Sequence, residues 1–480
     1  MSSHDRRAIK AGVWYTLSNT AISGISFLTI PVFARLLSVE DFGAYSNFTA
    51  WLSLLTILTT LNFYVTIARA KFDFSHKLDS YISSIQILGT ICTGLCYAIV
   101  MIFQDFFTKL FSLDMVYIHV IFIYLLVYPS FQLLQAKHRQ FMQYKSFVVL
   151  TALSVLSSVG CSLFLVVALE NQLLGRVVGY IAPLFLICLL VYIFNLIKGK
   201  SFVNLRYWRY ALPIAVPLIP HVLSGNILGT SDQAIITFFC GPEQTAFYSI
   251  AYSCSLVVMM LGNSINQAWT PWLYEKLNVA DYNSIRKASK KYLIIALASM
   301  SLLMLLSPEI VLLMGGYSYY GVSSIMPPVM LGCFFWCLYT HFVNIEIYEK
   351  KTLGISIRTL LAALVNLVLN VLLIPEFGYL AAAYTTLIGY VLLYLMHALS
   401  AKKLGATKYY DYKFFFMISG LAIGMMFLLL LVNDFLLLRI FFILLVAFFL
   451  VVWMVVKRKT IAYYVKKLRH RENSKERSGL

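Results

Sequence analysis

Charge is what this sequence has least of. Only 12% of its 480 residues are Asp, Glu, Lys or Arg, and acidic residues number 20 against 38 basic ones. A water-soluble chain of this length needs far more polar surface to cover its core, so a soluble globular protein is excluded. Catalytic signatures are missing too. The sequence shows no glycine-rich phosphate loop, no metal-ligand cluster and no catalytic triad at recognisable spacing, and it reads as a non-enzyme. Cysteines number eight and form no redox framework. Cys92 and Cys96, like Cys333 and Cys337, have i,i+4 spacing, but no histidine or carboxylate completes a metal site nearby; they read as small apolar packing residues. A cleavable signal peptide is also not expected. Arg6, Arg7 and Lys10 precede an apolar stretch, but it runs to about Leu37, too long for a cleaved segment, and so predicts an uncleaved first span.

What is abundant is hydrophobic side chain, 60% of the chain, in long runs separated by short polar breaks. With the bilayer as solvent, such runs satisfy their backbone as helices rather than as an outer-membrane barrel. The fold class is therefore an all-α polytopic membrane protein of about fourteen transmembrane helices. They fall at roughly 11–37, 44–68, 82–103, 116–137, 147–169, 174–197, 211–239, 247–270, 291–314, 323–347, 356–374, 379–400, 412–432 and 436–456.

The net charge of +18 is spread over short loops and a tail, with no aromatic-interleaved basic domain, so nucleic acid is not an expected partner. Counted on alternating sides of the spans, 34 of the 38 Lys and Arg fall on one side. Only Arg35, Lys109, Arg176 and Arg439 fall on the other. Cytoplasmic loops carry such an excess, so both termini are expected in the cytoplasm. No loop on the opposite side exceeds about a dozen residues, too short for a soluble catalytic domain. The tail holds nine Lys/Arg against Glu472 and Glu476, suited to anionic membrane lipids or to anchoring the topology.

Shifted by 203 positions, Ser38–Ser46 aligns with Gly241–Ser249, and Gly175 meets Gly378. Six spans separate the copies, which gives the halves the same orientation, the parallel-repeat plan in which a substrate path lies between halves. The expected organisation is a six-helix half over 1–200, a second over 201–405, an extra helix pair over 406–457 and a basic cytoplasmic tail over 458–480.

Several segments carry a resemblance. They are Thr29–Ser38 with Glu40–Tyr45, then Leu212–Gly225 with Ser231-Asp232-Gln233. Ile265-Asn266-Gln267-Ala268-Trp269-Thr270-Pro271-Trp272-Leu273-Tyr274 follows, and Asn366 to Asn370 with Ile374-Pro375-Glu376-Phe377-Gly378 comes last. In this order they resemble the polysaccharide-repeat flippases of the Wzx type, in the multidrug/oligosaccharidyl-lipid/polysaccharide exporter superfamily. The resemblance implies a non-enzymatic flippase of the bacterial cytoplasmic membrane. It would move undecaprenyl-pyrophosphate-linked units of O-antigen or capsule to the periplasmic leaflet by alternating access, coupled to H+ or Na+ with no other cofactor. Polymerase and chain-length proteins of the same pathway are implied as partners. A multidrug or small-molecule antiporter on the same fold is the nearest alternative, and a membrane polysaccharide polymerase or ligase the alternative from another class. One position departs: relatives often have arginine where this chain has Gln233.

A pyrophosphate and its sugars need a hydrated cavity, positive potential and polar or aromatic walls. Asp232, a carboxylate inside the seventh span, is a candidate for ion coupling or a gating pair, or else a helix-packing group. Arg35 is a candidate to draw phosphate outward or to pair with Asp232, against plain snorkelling. Glu309 beside Pro308 is a candidate gate or a water-facing helix-break carboxylate. His221, among Pro213, Pro217 and Pro220, is a candidate phosphate contact or a core histidine. Gln267 and Trp269 suit sugar hydroxyls and rings, although interfacial tryptophans also form membrane belts. No Lys or Arg falls near a span midplane, so the cavity is expected to be weakly cationic unless histidines charge or Arg35, Arg69 and Arg358 reach inward.

Overall fold

In a computed structural model of the protein, residues 27–433 and 435–446 are described, with single positions 14, 15, 18, 21, 24, 25 and 448 beside them. The described residues form helices and no strand. In order these are α1 (Phe27–Leu36), α2 (Val39–Thr60), α3 (Ile67–Asp73), α4 (Leu78–Ile102), α5 (Gln104–Phe111), α6 (Met115–Gln140), α7 (Tyr144–Ala168), α8 (Gln172–Gly199) and α9 (Leu205–Ala215). They continue as α10 (Ile219–Cys240), α11 (Pro242–Asn278), α12 (Tyr282–Leu305), α13 (Ser307–Gly315), α14 (Met326–Tyr348), α15 (Thr352–Phe377), α16 (Tyr379–Lys403), α17 (Tyr412–Val432) and α18 (Leu436–Val446).

Eleven helices, counting α9 and α10 as one, are long and apolar enough to cross a membrane. A twelfth is α2 continued through a 50° bend into the helix ending at Asp73. Leu61 and Asn62 make that bend, both with left-handed φ, of 48° and 52°. With α1 and α18 at either end, the count agrees with about fourteen spans. The first and last expected spans lie partly, and the basic tail wholly, outside the described residues. Side-chain caps start several helices: Ser38 accepts from the Asp41 N–H, Asn171 from Leu174 and Asp281 from Ser284. At the α11–α12 turn, hydrogen bonds from Lys276 and Ser284 hold the Asp281 carboxyl down at about 2.

Lipid supplies no hydrophobic force between helices, so close packing must come from small residues. Between α7 and α8 a Cβ on Gly179 would lie 2.4 Å from Ser162 Cα, and Ser158 donates to the Tyr180 carbonyl at 3.0 Å. The centre is α2, which packs on α10 and α11 on one side and on α4, α6 and α8 on the other. At its start Gly43 leaves no room at all: a Cβ there would fall 1.7 Å from the Pro242 carbonyl oxygen and 3.0 Å from the Ala246 nitrogen. The two stretches that match in sequence thus meet each other, at the lysine-poor face. There Arg35 also donates to the Leu312 and Leu313 carbonyls at 3.2 and 2.6 Å, and Phe42 meets Tyr319 edge-on.

The later helices share one large apolar core around α14, with α17 packed on α12 and α14. The ninth expected span breaks at Leu306, and Pro308 opens α13. Glu309 accepts from Arg439 of α18 at 2.8 Å, and Arg439 also reaches the Leu305 carbonyl. This pair fastens α18 to the α12–α13 break.

Candidate functional site

Three cavities run in sequence through the first eight helices and the edge of α10–α11. The first, of about 350 Å³, lies between α1, α2, α7, α8, α10 and α11. The second, also about 350 Å³, shares Thr49 and Tyr180 with it and extends to Asn62, Tyr124 and Asn226. The third, about 290 Å³, shares Tyr64, Tyr128 and Gln132 with the second and ends at Arg139. Sharing these wall residues, they adjoin in a row, a corridor running from the lysine-rich face to a deep end near the lysine-poor one.

The deep end is built around Arg176, in the second turn of α8. Its residue is 8% exposed, and its guanidinium lies 3.5 Å from the Phe33 ring centroid and 4.2 Å from that of Tyr45. Two aromatic faces hold the cation in place of a carboxylate. Its Nε is buried with no hydrogen-bond partner. Around it the first cavity presents Ser46, Thr49, Ser154 and Ser158, whose hydroxyls donate to backbone carbonyls and can still accept, together with the unpartnered Ser249 hydroxyl and the Gln233 amide, which can donate. At the other end Arg139 is exposed over the Phe147 ring. The residues lining the three cavities include no Asp, Glu or His. Chemically, this is a place for an anion bearing a polar, hydroxyl-rich body.

A separate polar nest sits in the later helices. Asp232 of α10, 1% exposed, accepts from Tyr248 of α11, from Asn370 of α15 at 2.6 Å and from Thr386 of α16 at 2.5 Å. Thr385 donates to Asn370, whose Nδ2 also lies 3.4 Å from the Asn366 oxygen. The i,i+4 spacing of Asn366 and Asn370 puts both amides on one face of α15. Every partner is neutral, so the expected alternative of an Arg35–Asp232 pair is corrected. Arg35 is spent on backbone carbonyls, and hydroxyls and amides stabilise the carboxylate in lipid.

The remaining expected residues scatter. Arg69 pairs with Asp73 on the surface at 3.2 Å, and Arg358 pairs with buried Glu346 at 3.0 Å. None of Arg35, Arg69 and Arg358 lines the corridor. Its positive charge comes instead from Arg176, which the charge count left among the four residues of the sparse side, and from Arg139. The signal available was an arginine five residues inside a helix start. Its aromatic partners lie far away in sequence and left no local mark. His221 is half-buried, with Nδ1 unpartnered. Gln267 is exposed. Trp269 is buried among Trp272, Tyr292 and His341 at 5.0 to 6.2 Å, a core position.

The family described as polysaccharide biosynthesis protein matches residues 8–277. Among solved structures, the chain is similar to the lipid II flippase MurJ in an inward closed conformation, with a TM-score of 0.69 at 17% identity; the match covers 94% of this chain and 100% of that one. An inward-facing multidrug resistance MATE family transporter matches with a TM-score of 0.57 at 13% identity, covering 82% and 95%. A point mutant of the Vibrio cholerae MATE transporter VcmN matches at 0.52 and 12%, covering 86% and 100%. No curated protein matches the chain in sequence. The fold is therefore the one shared by the lipid II flippase and the MATE transporters.

Proposed function

We propose, for a chain that belongs to the polysaccharide biosynthesis protein family, that it flips undecaprenyl-pyrophosphate-linked oligosaccharide units across the bacterial cytoplasmic membrane. The units would move from the cytoplasmic to the periplasmic leaflet for O-antigen or capsule assembly. The observation that carries this reading is the corridor: an arginine at each end, hydroxyls, amides and tyrosines between, and no carboxylate. Guanidinium forks suit phosphate oxygens, and tyrosine and amide walls suit sugar rings and hydroxyls. The lysine-rich mouth corresponds to the side where lipid-linked units are made. An organic-cation antiporter needs a negative or π-lined cavity free of fixed positive charge, and Arg176 at the deep end opposes it.

Asp232, with the Tyr248 and Thr386 hydroxyls and the Asn370 amide around it, is the proposed coupling site, for H+ or Na+. Hard oxygen ligands suit Na+, and a buried carboxylate suits a proton. Asp232→Asn is expected to cut surface glycan severalfold at native expression while the protein still inserts. Normal glycan in that variant would remove Asp232 from the mechanism.

A clean deletion tests the function itself. Surface polymer should be lost, and single lipid-linked units should accumulate on the cytoplasmic leaflet. Unchanged polymer would favour the antiporter, and units stalled on the periplasmic leaflet would favour a polymerase or ligase.

A further inference from the structure

At the lysine-rich end of α14, Glu346 is fully buried, and an arginine and a histidine converge on it. Arg358 of α15 places Nη2 3.0 Å from Oε1, and His397 of α16 places Nδ1 2.9 Å from Oε2. A clamp between helix ends needs only one cation, and Arg358 already balances the carboxylate. His397 brings a second, titratable one. Its ring is fully buried, rests on Tyr339 at 5.3 Å, and leaves Nε2 with no hydrogen-bond partner. From α10 His221 also faces His397, its own buried Nδ1 unpartnered. The other titratable groups facing the cluster are Tyr339 of α14 and Tyr412 of α17.

An orphaned buried donor or acceptor costs about 1–3 kcal/mol and calls for an explanation, of which a change of state in use is one. Here the change is available without breaking the pair. With Nδ1–H held on Glu346, Nε2 can take one proton or release it. The cluster then moves between net charge zero and one positive charge, and Glu346 stays partnered throughout. The cluster bridges α15 and α16, the helices that hold the Asp232 nest. It lies about 18 Å nearer the lysine-rich face, counted along α15 from Asn370 to Arg358 at 1.5 Å per residue. The corridor lining contains no group of this kind.

We propose that Glu346, Arg358 and His397 form a proton-exchange site on the lysine-rich side of the later helices, with His397 Nε2 binding the proton. The proposal rests on the transporter reading but not on the glycan. Protons and substrate then travel in different halves of the molecule.

The test uses the full chain in proteoliposomes on a solid-supported membrane, with protons alone as probe. A pH step should give a transient charge displacement in the wild type. His397→Gln and Glu346→Gln should each reduce it on the order of tenfold. Arg439→Gln, which unpairs an ion pair at the opposite face, should lower the unfolding temperature and keep the current. A wild type without current, or either cluster variant with full current, overturns the proposal. So does an equal loss in Arg439→Gln, which would assign the effect to destabilisation. If His397→Gln does not assemble, Glu346→Gln carries the test, since it keeps the side chain's shape. No lipid-linked sugar is present, so a current in the wild type together with unaltered glycan in the deletion strain would sink the flippase reading and leave this one standing.

Discussion

Arg176→Gln is expected to lower translocation of lipid-linked units by about 10- to 150-fold, the equivalent of one lost hydrogen bond to a charged group at about 1.5–3 kcal/mol. Glutamine keeps length and polarity but loses the charge and the planar fork. Arg176→Lys keeps the charge as a point, without the fork or the stacking, and should fall between the two. The rival role for Arg176 is mechanical, since its contacts with Phe33 and Tyr45 also join α8 to α1 and α2. Such contacts are worth roughly 0.5–2 kcal/mol each. The two roles separate on paired measurements: flipping in vesicles by leaflet-specific modification of the labelled glycolipid, and unfolding temperature in detergent. Lost transport at near-normal stability marks an anion site. Lost stability with transport retained per folded molecule would make the arginine a fastener.

The second large effect is expected at Gly43. Alanine there would drive its Cβ to within 1.7 Å of the Pro242 carbonyl, a backbone atom that cannot swing aside. Overpacking of this sort costs about 1–3 kcal/mol. If the closed contact at the lysine-poor face bears that cost, the balance shifts about 5- to 150-fold toward opening there. Ser46 lines the deep cavity just behind the contact. In a background without the native cysteines, Ser46→Cys should react with an impermeant maleimide from the periplasm at least several times faster when Gly43→Ala is added. An unchanged rate would mean that the face is closed elsewhere, with Arg35 on the α13 carbonyls as the next place to look.

How much of this is legible in the sequence follows the range of the interactions. The spans are readable because each is a local run of apolar side chains. The kinked end of α2 is not, because Leu61 and Asn62 carry no glycine or proline signal. Asp232 stands out as a carboxylate in an apolar stretch, and Asn366 and Asn370 as neighbours on one helical face. That they meet depends on packing between α10 and α15, more than a hundred residues apart. Glu309 and Arg439 are each legible, but not as a pair. Arg176 is the costly omission. A charge count sorts an arginine near a helix start into a loop, and only tertiary packing turns it inward between two rings. Glu346 escapes notice for the same reason, sitting at the last turn of its span.

The meeting of Gly43 with Pro242 and Ala246 also fixes where motion has to be small. α11 runs on from that contact, and Trp269, wedged against His341 of α14, lies about 35 Å farther along it. A rod held at one end is a lever. A tilt of only about 10° about the glycine would sweep the Trp269 end through roughly 6 Å at 1.5 Å rise per residue. Displacements of that size are what a sugar ring needs to pass. While the lysine-poor face stays closed, the tightest backbone approach at any described glycine would therefore act as a fulcrum, trading immobility at that face for mechanical advantage at the other.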